Sequence, residues 1–273
     1  MYFLETDNFI EILSKAIPNN IKNIKKITKG WTNIVFDIDT NSCEYIARFP
    51  RNEFFSKQIE KDVYVTQFLK ETVKLNCPNI NIFYYNDKPF SIHKKIEGSD
   101  LSNKIDLLSK EKIESLSNKI AKSLYKIHSI NIETIPSVAK RHLSNFLKEL
   151  AKVDKEIDYD YSLLEELEED EKNSVVFVHG DLNIGNILLD ENDNFNAILD
   201  FSFAGLSDIY SDLSRICSRT DDKILLKNVV TNYEKISGRK IDINKVLRRE
   251  KTWNYIDNQY IKYIRKHHPE IDL

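Results

Sequence analysis

Hydrophobic positions along this chain change period twice. Residues 6–17 carry Phe9, Ile10, Leu13 and Ile17 at helical spacing, with Thr6 or Asp7 as cap and Pro18 as the stop. From Ile24 the spacing shortens. Ile27, then Ile34, Phe36 and Ile38, then Tyr45, Ile46 and Phe49 predict three strands, separated by residues 28–33 and by a turn at 40–43. Residues 57–70 predict a helix with Ile59, Val63 and Thr66 on one face, and Pro78 closes that region. Ile80, Ile82, Phe83 and Tyr84, then Phe90 and Ile92, predict a strand pair turned at Asn86-Asp87. Beyond Gly98, Ile113, Leu116, Ile120, Leu124 and Ile127 form one helical stripe. Residues 142–170, 223–236, 243–255 and 256–265 predict further amphipathic helices. Apolar runs at 175–178, 187–189 and 197–199, bounded by turn residues, read as a short paired-strand insert. The expected class is α+β: a β-rich first third and a mainly helical remainder. The boundary falls near residues 93–98, which gives units 1–96 and 97–273.

Two of the short apolar runs lead into aspartates, Asp181 and Asp200, and Asn186 stands five residues after Asp181. Acids placed where strands end sit at the edge of a core, within reach of a metal and a phosphate. Asp, Asn five residues on, then an Asp-Phe dipeptide is the spacing of a kinase catalytic loop and metal site. The rest of such a site has candidates too. Thr28-Lys29-Gly30-Trp31-Thr32-Asn33 is a glycine turn between strands, where backbone N–H groups can approach a phosphate, although most such turns only connect. Arg48, between Ile46 and Phe49, is a cation rising from a strand; alternatively its stem covers apolar surface at an edge. Glu60 and Asp62 are candidate partners for Arg48, and two residues apart on a helix only one of them can point into a cleft. The connector His93-Lys94-Lys95 can offer its backbone to a purine edge; a histidine there is more often a surface residue than a ligand.

Composition narrows the classes. The 273 residues, 41% apolar and 30% charged, suffice for one large domain or two lobes and do not read as disordered. The net charge of −3 divides into +3 for residues 1–96 and −6 for the remainder. No basic stripe with interleaved aromatics is present, which argues against nucleic acid as a partner. The acidic second part suits a cationic substrate or is a solvated surface. Cys43, Cys77 and Cys217 are isolated and odd in number, so neither a disulfide framework nor a zinc site follows. With no signal-like start and no run of membrane length, a cytoplasmic protein with no membrane partner is expected, as a monomer.

HGDLNIGNILLD followed by AILDFSFAGLSDIYSDLSR closely resembles the aminoglycoside phosphotransferase and choline-kinase-like superfamily. GWTNIVFDID followed by YIARFPR is similar to that family's nucleotide loop and third strand, and KTWNYIDNQYIKYI looks most like its aminoglycoside 2″-phosphotransferase branch. The resemblance implies a bilobal protein-kinase-like fold that moves the γ-phosphoryl group of ATP or GTP to a small-molecule hydroxyl, with Mg2+ as cofactor. It implies Asp181 as the catalytic aspartate, Asn186 and Asp200 as magnesium ligands, and His179 as a brace for the loop. Gly30, Trp31, Thr32, Asn33 and Arg48 fall on its nucleotide site. Asp212 matches a structural acid of the family, and Asp208 one that braces the loop or borders the substrate. The expected acceptor is an aminoglycoside, with Glu165, Glu166, Asp208 and Asp257 as candidate contacts. A metabolic kinase for choline, homoserine or a sugar, or a macrolide phosphotransferase, would share every core motif, and a non-catalytic nucleotide binder would share most. Three positions depart from the pattern: Arg48 replaces the usual Lys, Ser202 the glycine after Asp200-Phe201, and the helix acid falls best on Asp62 where Glu is usual.

Overall fold

Alternation along the strands sorts the first third of the chain into a sheet with two different faces. β1 (Ile21–Ile27), β2 (Asn33–Thr40), β3 (Glu44–Pro50), β4 (Ile80–Tyr85) and β5 (Lys88–Lys94) form one antiparallel sheet in the order β1-β2-β3-β5-β4. The computed structural model describes residues 3, 8–18, 20–27, 32–153, 161–216, 218, 223–267 and 269. Ile34, Phe36, Ile38, Ala47 and Phe49 point to one face, where α1 (Phe9–Ala16) lies with Phe9 and Leu13 buried against them. The Phe49 and Phe90 rings stack there at 4.7 Å. With a period of two, Arg48 must face the other way, towards the next helix. Helix α1 starts later than its pattern suggests because Asn8 is the cap, accepting from Glu11 N at 3.2 Å; Thr6 and Asp7 lie outside the described residues. The β4–β5 turn places Asn86 and Asp87 at φ 49° and 60°, the left-handed pair that a two-residue hairpin needs.

Helix α2 (Glu53–Val73) is longer than the predicted 57–70 at both ends. Asn52 caps its start by accepting from Phe55 N at 3.0 Å, and Lys74 ends it in a left-handed conformation. Its inner face joins the two halves of the molecule: Asp62 looks towards the sheet, while Val65 and Leu69 belong to the core of the helical half.

That half is built from α3 (Lys110–His128), α4 (Leu143–Val153), α5 (Tyr161–Asn173), α6 (Ile209–Arg215), α7 (Lys223–Ser237) and α8 (Ile243–His267). The segments expected at 243–255 and 256–265 are one helix. Val246, Arg249, Trp253, Ile256, Tyr260 and Ile264 continue a single buried stripe, and no Gly or Pro interrupts it. The strand insert is also richer than one pair. β6 (Ser99–Asp100), β7 (Val176–Val178), β8 (Ile187–Leu189), β9 (Phe195–Ile198) and β10 (Gly205–Ser207) form two small sheets, β10-β7 and β6-β8-β9. Strands of two or three polar or small residues carry no readable period, so β6 and β10 escape the sequence. The five-stranded sheet ends at Lys94 and β6 already pairs with β8, so the chain changes sheets within 95–98. No helix among the described residues is long and apolar enough to cross a membrane.

Candidate active site

β7 carries the chain into His179-Gly180-Asp181, and the β8–β9 hairpin brings it back at Asp200. Gly180 has φ 81°, and a Cβ there would lie 2.4 Å from the Phe203 carbonyl oxygen, so only glycine fits. A buried acid organises this loop from below. Asp212 of α6 accepts from His179 N at 2.9 Å, from Gly180 N at 2.8 Å and from the His128 ring at 3.1 Å. Burial alone pushes its carboxyl up, but these donors, His128 foremost, hold it below the ordinary carboxylate range. His179 Nδ1 accepts from Asp181 N at 3.2 Å, which leaves the proton on Nε2 to be donated to Leu199 O at 2.9 Å. The Asn186 backbone oxygen accepts from Leu199 N at 2.9 Å. Both ties end one residue before Asp200 and bring the two acid-bearing segments together.

Asp181 is partly exposed. Asn186 Nδ2 donates to its backbone oxygen at 2.8 Å and to Oδ2 at 3.2 Å, and Asn183 Nδ2 donates to Oδ1 at 3.0 Å. Committing Nδ2 to Asp181 leaves the Asn186 amide oxygen for another partner. Asp200 sits at φ 60°, a conformation that Asp tolerates better than most residues. Ser202 donates its N–H to Asp200 Oδ1 at 3.3 Å, and it is not among the positive-φ residues, so a side chain at 202 strains nothing.

Arg48 reaches from β3 to Asp62 and, at 3.5 Å, to Asp200. Asp62 passes its other oxygen to Phe201 N at 2.9 Å, so one helix acid fixes both the strand cation and the segment after Asp200. Burial pushes the Asp62 carboxyl up and Arg48 opposes it; its contacts, a guanidinium and a backbone N–H, are those of a carboxylate. The same burial works against the Arg48 charge, and Asp62 and Asp200 more than offset it. Asp200 is held low mainly by Arg48, against its own burial. Glu60 points elsewhere and accepts from Tyr84 OH at 3.4 Å.

Other expected nucleotide residues are distributed unevenly. Gly30 and Trp31 lie outside the described residues. Asn33 donates to Thr32 Oγ1 at 2.8 Å, and its own Oδ1 is buried without a hydrogen-bond partner among the described residues. His93 is buried, and desolvation lowers its pKa to about 4, so the ring is neutral, with Nδ1 2.9 Å from Lys94 O. Lys94 is exposed. At Lys95 the amide N–H donates to Glu44 O, and the ammonium joins Asp37 and Glu44 at 2.7 and 2.8 Å, so the side chain fills a cluster of carboxylates on the β2–β3 hairpin.

Two of the acids expected at the acceptor already have cationic partners. Asp208 is buried, caps α6 through Tyr210 N at 2.7 Å, and pairs with the buried Arg249 at 3.1 Å. Asp257 is paired with Arg215 at 2.7 Å. Each arginine is shared with a second acid, Arg249 with Asp170 and Arg215 with Asp181. Glu165 and Glu166 lie on the exposed side of α5, opposite the buried Leu164 and Leu167, and Glu166 is 3.8 Å from Arg248.

Sequence reasoning passed over Arg215. Its guanidinium is buried, lies 2.9 Å from Asp181 Oδ1 and stacks 4.8 Å from the Trp253 ring. A signal existed: Asp212 and Arg215 lie three apart on a short helix of otherwise small and apolar residues, so they share its buried face.

A strand sheet with a helix-paired arginine, joined to a helical half whose loops carry Asp, Asn and Asp, is a kinase-like phosphotransferase architecture. The chain belongs to the phosphotransferase enzyme family, whose APH profile matches residues 23–240. Solved structures agree in fold. The GDP and kanamycin complex of APH(2″)-IIIa matches with TM-score 0.72 and 18% identity over 96% of this chain and 93% of that one. The gentamicin complex of APH(2″)-IIa gives 0.67 and 21% over 98% and 94%. Choline kinase LicA from Streptococcus pneumoniae gives 0.70 and 16% over 96% and 92%.

Proposed function

We propose that this protein transfers the γ-phosphoryl group of ATP or GTP to a hydroxyl of a small molecule, with an aminoglycoside as the acceptor. The observation that carries the reading is the convergence of two independent networks. Asp212 shapes the Asp181–Asn186 loop, and Asp62 aligns Arg48 with Asp200, through backbone ties that meet at Leu199 and Phe201. In this reading Asp181 accepts a hydrogen bond from the acceptor hydroxyl, orients it, and takes its proton late. Arg48, kept charged by its two acids, grips the nucleotide phosphates.

The donor set fits magnesium: the Asn186 amide oxygen and the Asp200 carboxylate, held ionised and 39% exposed, are hard oxygen ligands. When bound, the ion offsets charge building on the transferring group. The choice of an aminoglycoside is supported by the kanamycin and gentamicin complexes of similarly folded proteins and by the acidic balance of residues 97–273. One observation favours a second reading, a metabolic alcohol such as choline as acceptor. Asp208 and Asp257 are both paired with arginines, so a polycation has fewer free carboxylates to meet.

The test is a phosphotransfer screen with purified protein, magnesium, ATP or GTP, and panels of aminoglycosides, macrolides and metabolic alcohols. Turnover of an amino sugar, reduced about a thousandfold in Asp181→Ala, is expected. Turnover of choline alone selects the second reading. Full activity in Asp181→Ala removes the mechanism.

A further inference from the structure

We propose that Arg215 is a positioning residue for the Asp181 carboxylate and that Asp257 and Trp253 of α8 hold it in place. The C-terminal helix is then a working part of the phosphotransfer centre. The inference rests on the reading of Asp181 given above.

The geometry is over-determined at one end and open at the other. Arg215 Nη1 donates to Asp257 Oδ2 at 2.7 Å, and Nη2 lies 3.3 Å from Asp257 Oδ1, a two-point grip that fixes the plane of the guanidinium. The Trp253 ring lies against it at 4.8 Å, and the ring is itself pinned by Nε1 donating to Ser214 Oγ at 3.0 Å. Trp253 and Asp257 are four residues apart on α8, so one helix face supplies both. Held in this way, Nη2 also lies 2.9 Å from Asp181 Oδ1, an ion-pair contact that places the guanidinium charge against that oxygen.

Oδ1 also accepts from Asn183, whereas Oδ2 has only the longer contact from Asn186 Nδ2 at 3.2 Å. The carboxylate is therefore fastened by Oδ1, and Oδ2 is the oxygen left to accept the hydroxyl. Two carboxylates share one guanidinium, so Asp257 sets how much of the Arg215 charge Asp181 feels. Burial opposes the Arg215 charge, and Asp181 and Asp257 more than restore it. A lysine cannot reproduce this: it lacks the planar fork that engages both acids at once.

The experiment measures steady-state rates with kanamycin and with choline, and magnesium-ATP hydrolysis with water as a third acceptor. The variants are Asp257→Asn, Arg215→Lys, Arg215→Met, Asp181→Asn and the double Asp181→Asn/Asp257→Asn. A misaligned carboxylate lowers the chemical step, so Asp257→Asn is expected to reduce kcat about ten- to a hundredfold, with nucleotide KM within about twofold. Arg215→Lys should retain more activity than Arg215→Met. In the Asp181→Asn background, adding Asp257→Asn should change the residual rate little, because the group being positioned is already gone. Asp257→Asn is close to isosteric and keeps the test valid if Arg215→Met does not fold. A rise in acceptor KM with kcat unchanged would make Asp257 a substrate contact and overturn the role. So would losses that multiply in the double variant. Full activity in Asp181→Asn, or no turnover of any of the three acceptors, removes the phosphotransfer reading and the role of Arg215 with it.

Discussion

The two halves of the site are held by different means. In the helical half, the residues that shape the loop all come from that half itself. His179, Gly180, Asp181, Asn186 and Asp212 interlock within 34 residues, and a single buried carboxylate satisfies two consecutive backbone N–H groups. In the sheet half, Arg48 stands alone on its strand, and what aligns it comes from elsewhere: Asp62 from α2 and Asp200 from the other half. A network contained within one half keeps its shape without the other, whereas Arg48 depends on the packing of the helix between the halves.

Substitutions can break that contrast in order of expected size. Asp212→Ala should be the most damaging, at about 3–5 kcal/mol by urea denaturation, because it strands two buried N–H groups and the His128 ring. A loss no larger than that of Asp62→Ala would erase the distinction. Asp62→Ala should cost about 2–3 kcal/mol, less because Asp200 remains 3.5 Å from Arg48, and should raise nucleotide KM in the same variant.

Lys61 probes the junction itself. Its ammonium is buried over the Phe146 ring and donates to Ala204 O at 3.0 Å, and burial lowers its pKa from 10.5 to about 7. Below pH 7 the lysine is charged in both folded and unfolded chains, and the full cost of burying it is present. Above pH 7 the folded chain releases the proton that the unfolded chain keeps, so this site adds stability as pH rises, about 2 kcal/mol between pH 7 and 9. Lys61→Met should lose that rise, as read from denaturation curves at the two pH values. The smallest effect is local: Asn52→Ala removes the α2 cap and should cost about 1 kcal/mol with little change in kcat. A large fall in kcat would show that the start of α2 reports directly to the site.

Much of the fold was legible because its elements are periodic. The alternation through Ile34, Phe36 and Ile38 specified a strand face, and the stripe through Ile113 to Ile127 specified a helix. The loop cluster was legible for a different reason: its spacing is short, so chain geometry alone keeps Asp181 and Asn186 close. The weak points were those where partners are far apart in sequence. Asp257 read as an acceptor contact, and Asp208 as that or as a brace, because their arginines arrive from α6 and α8. Lys95 read as a connector residue because Asp37 and Glu44 come from strands some 50 residues earlier. The two-segment reading of 243–265 failed on continuity, since no helix breaker stands between the two stretches.

Residue order alone therefore specified the α+β division, the sheet face that carries Arg48, and the chemical identity of the loop acids, because each follows from backbone periodicity or short spacing. Packing chose among charges. It gave Arg48 to Asp62 and not Glu60, turned Asp208 and Asp257 into structural partners, and set Arg215 against Asp181. An ion pair in a low-dielectric interior forms only where folding brings both members together, and no one-dimensional pattern records that distance.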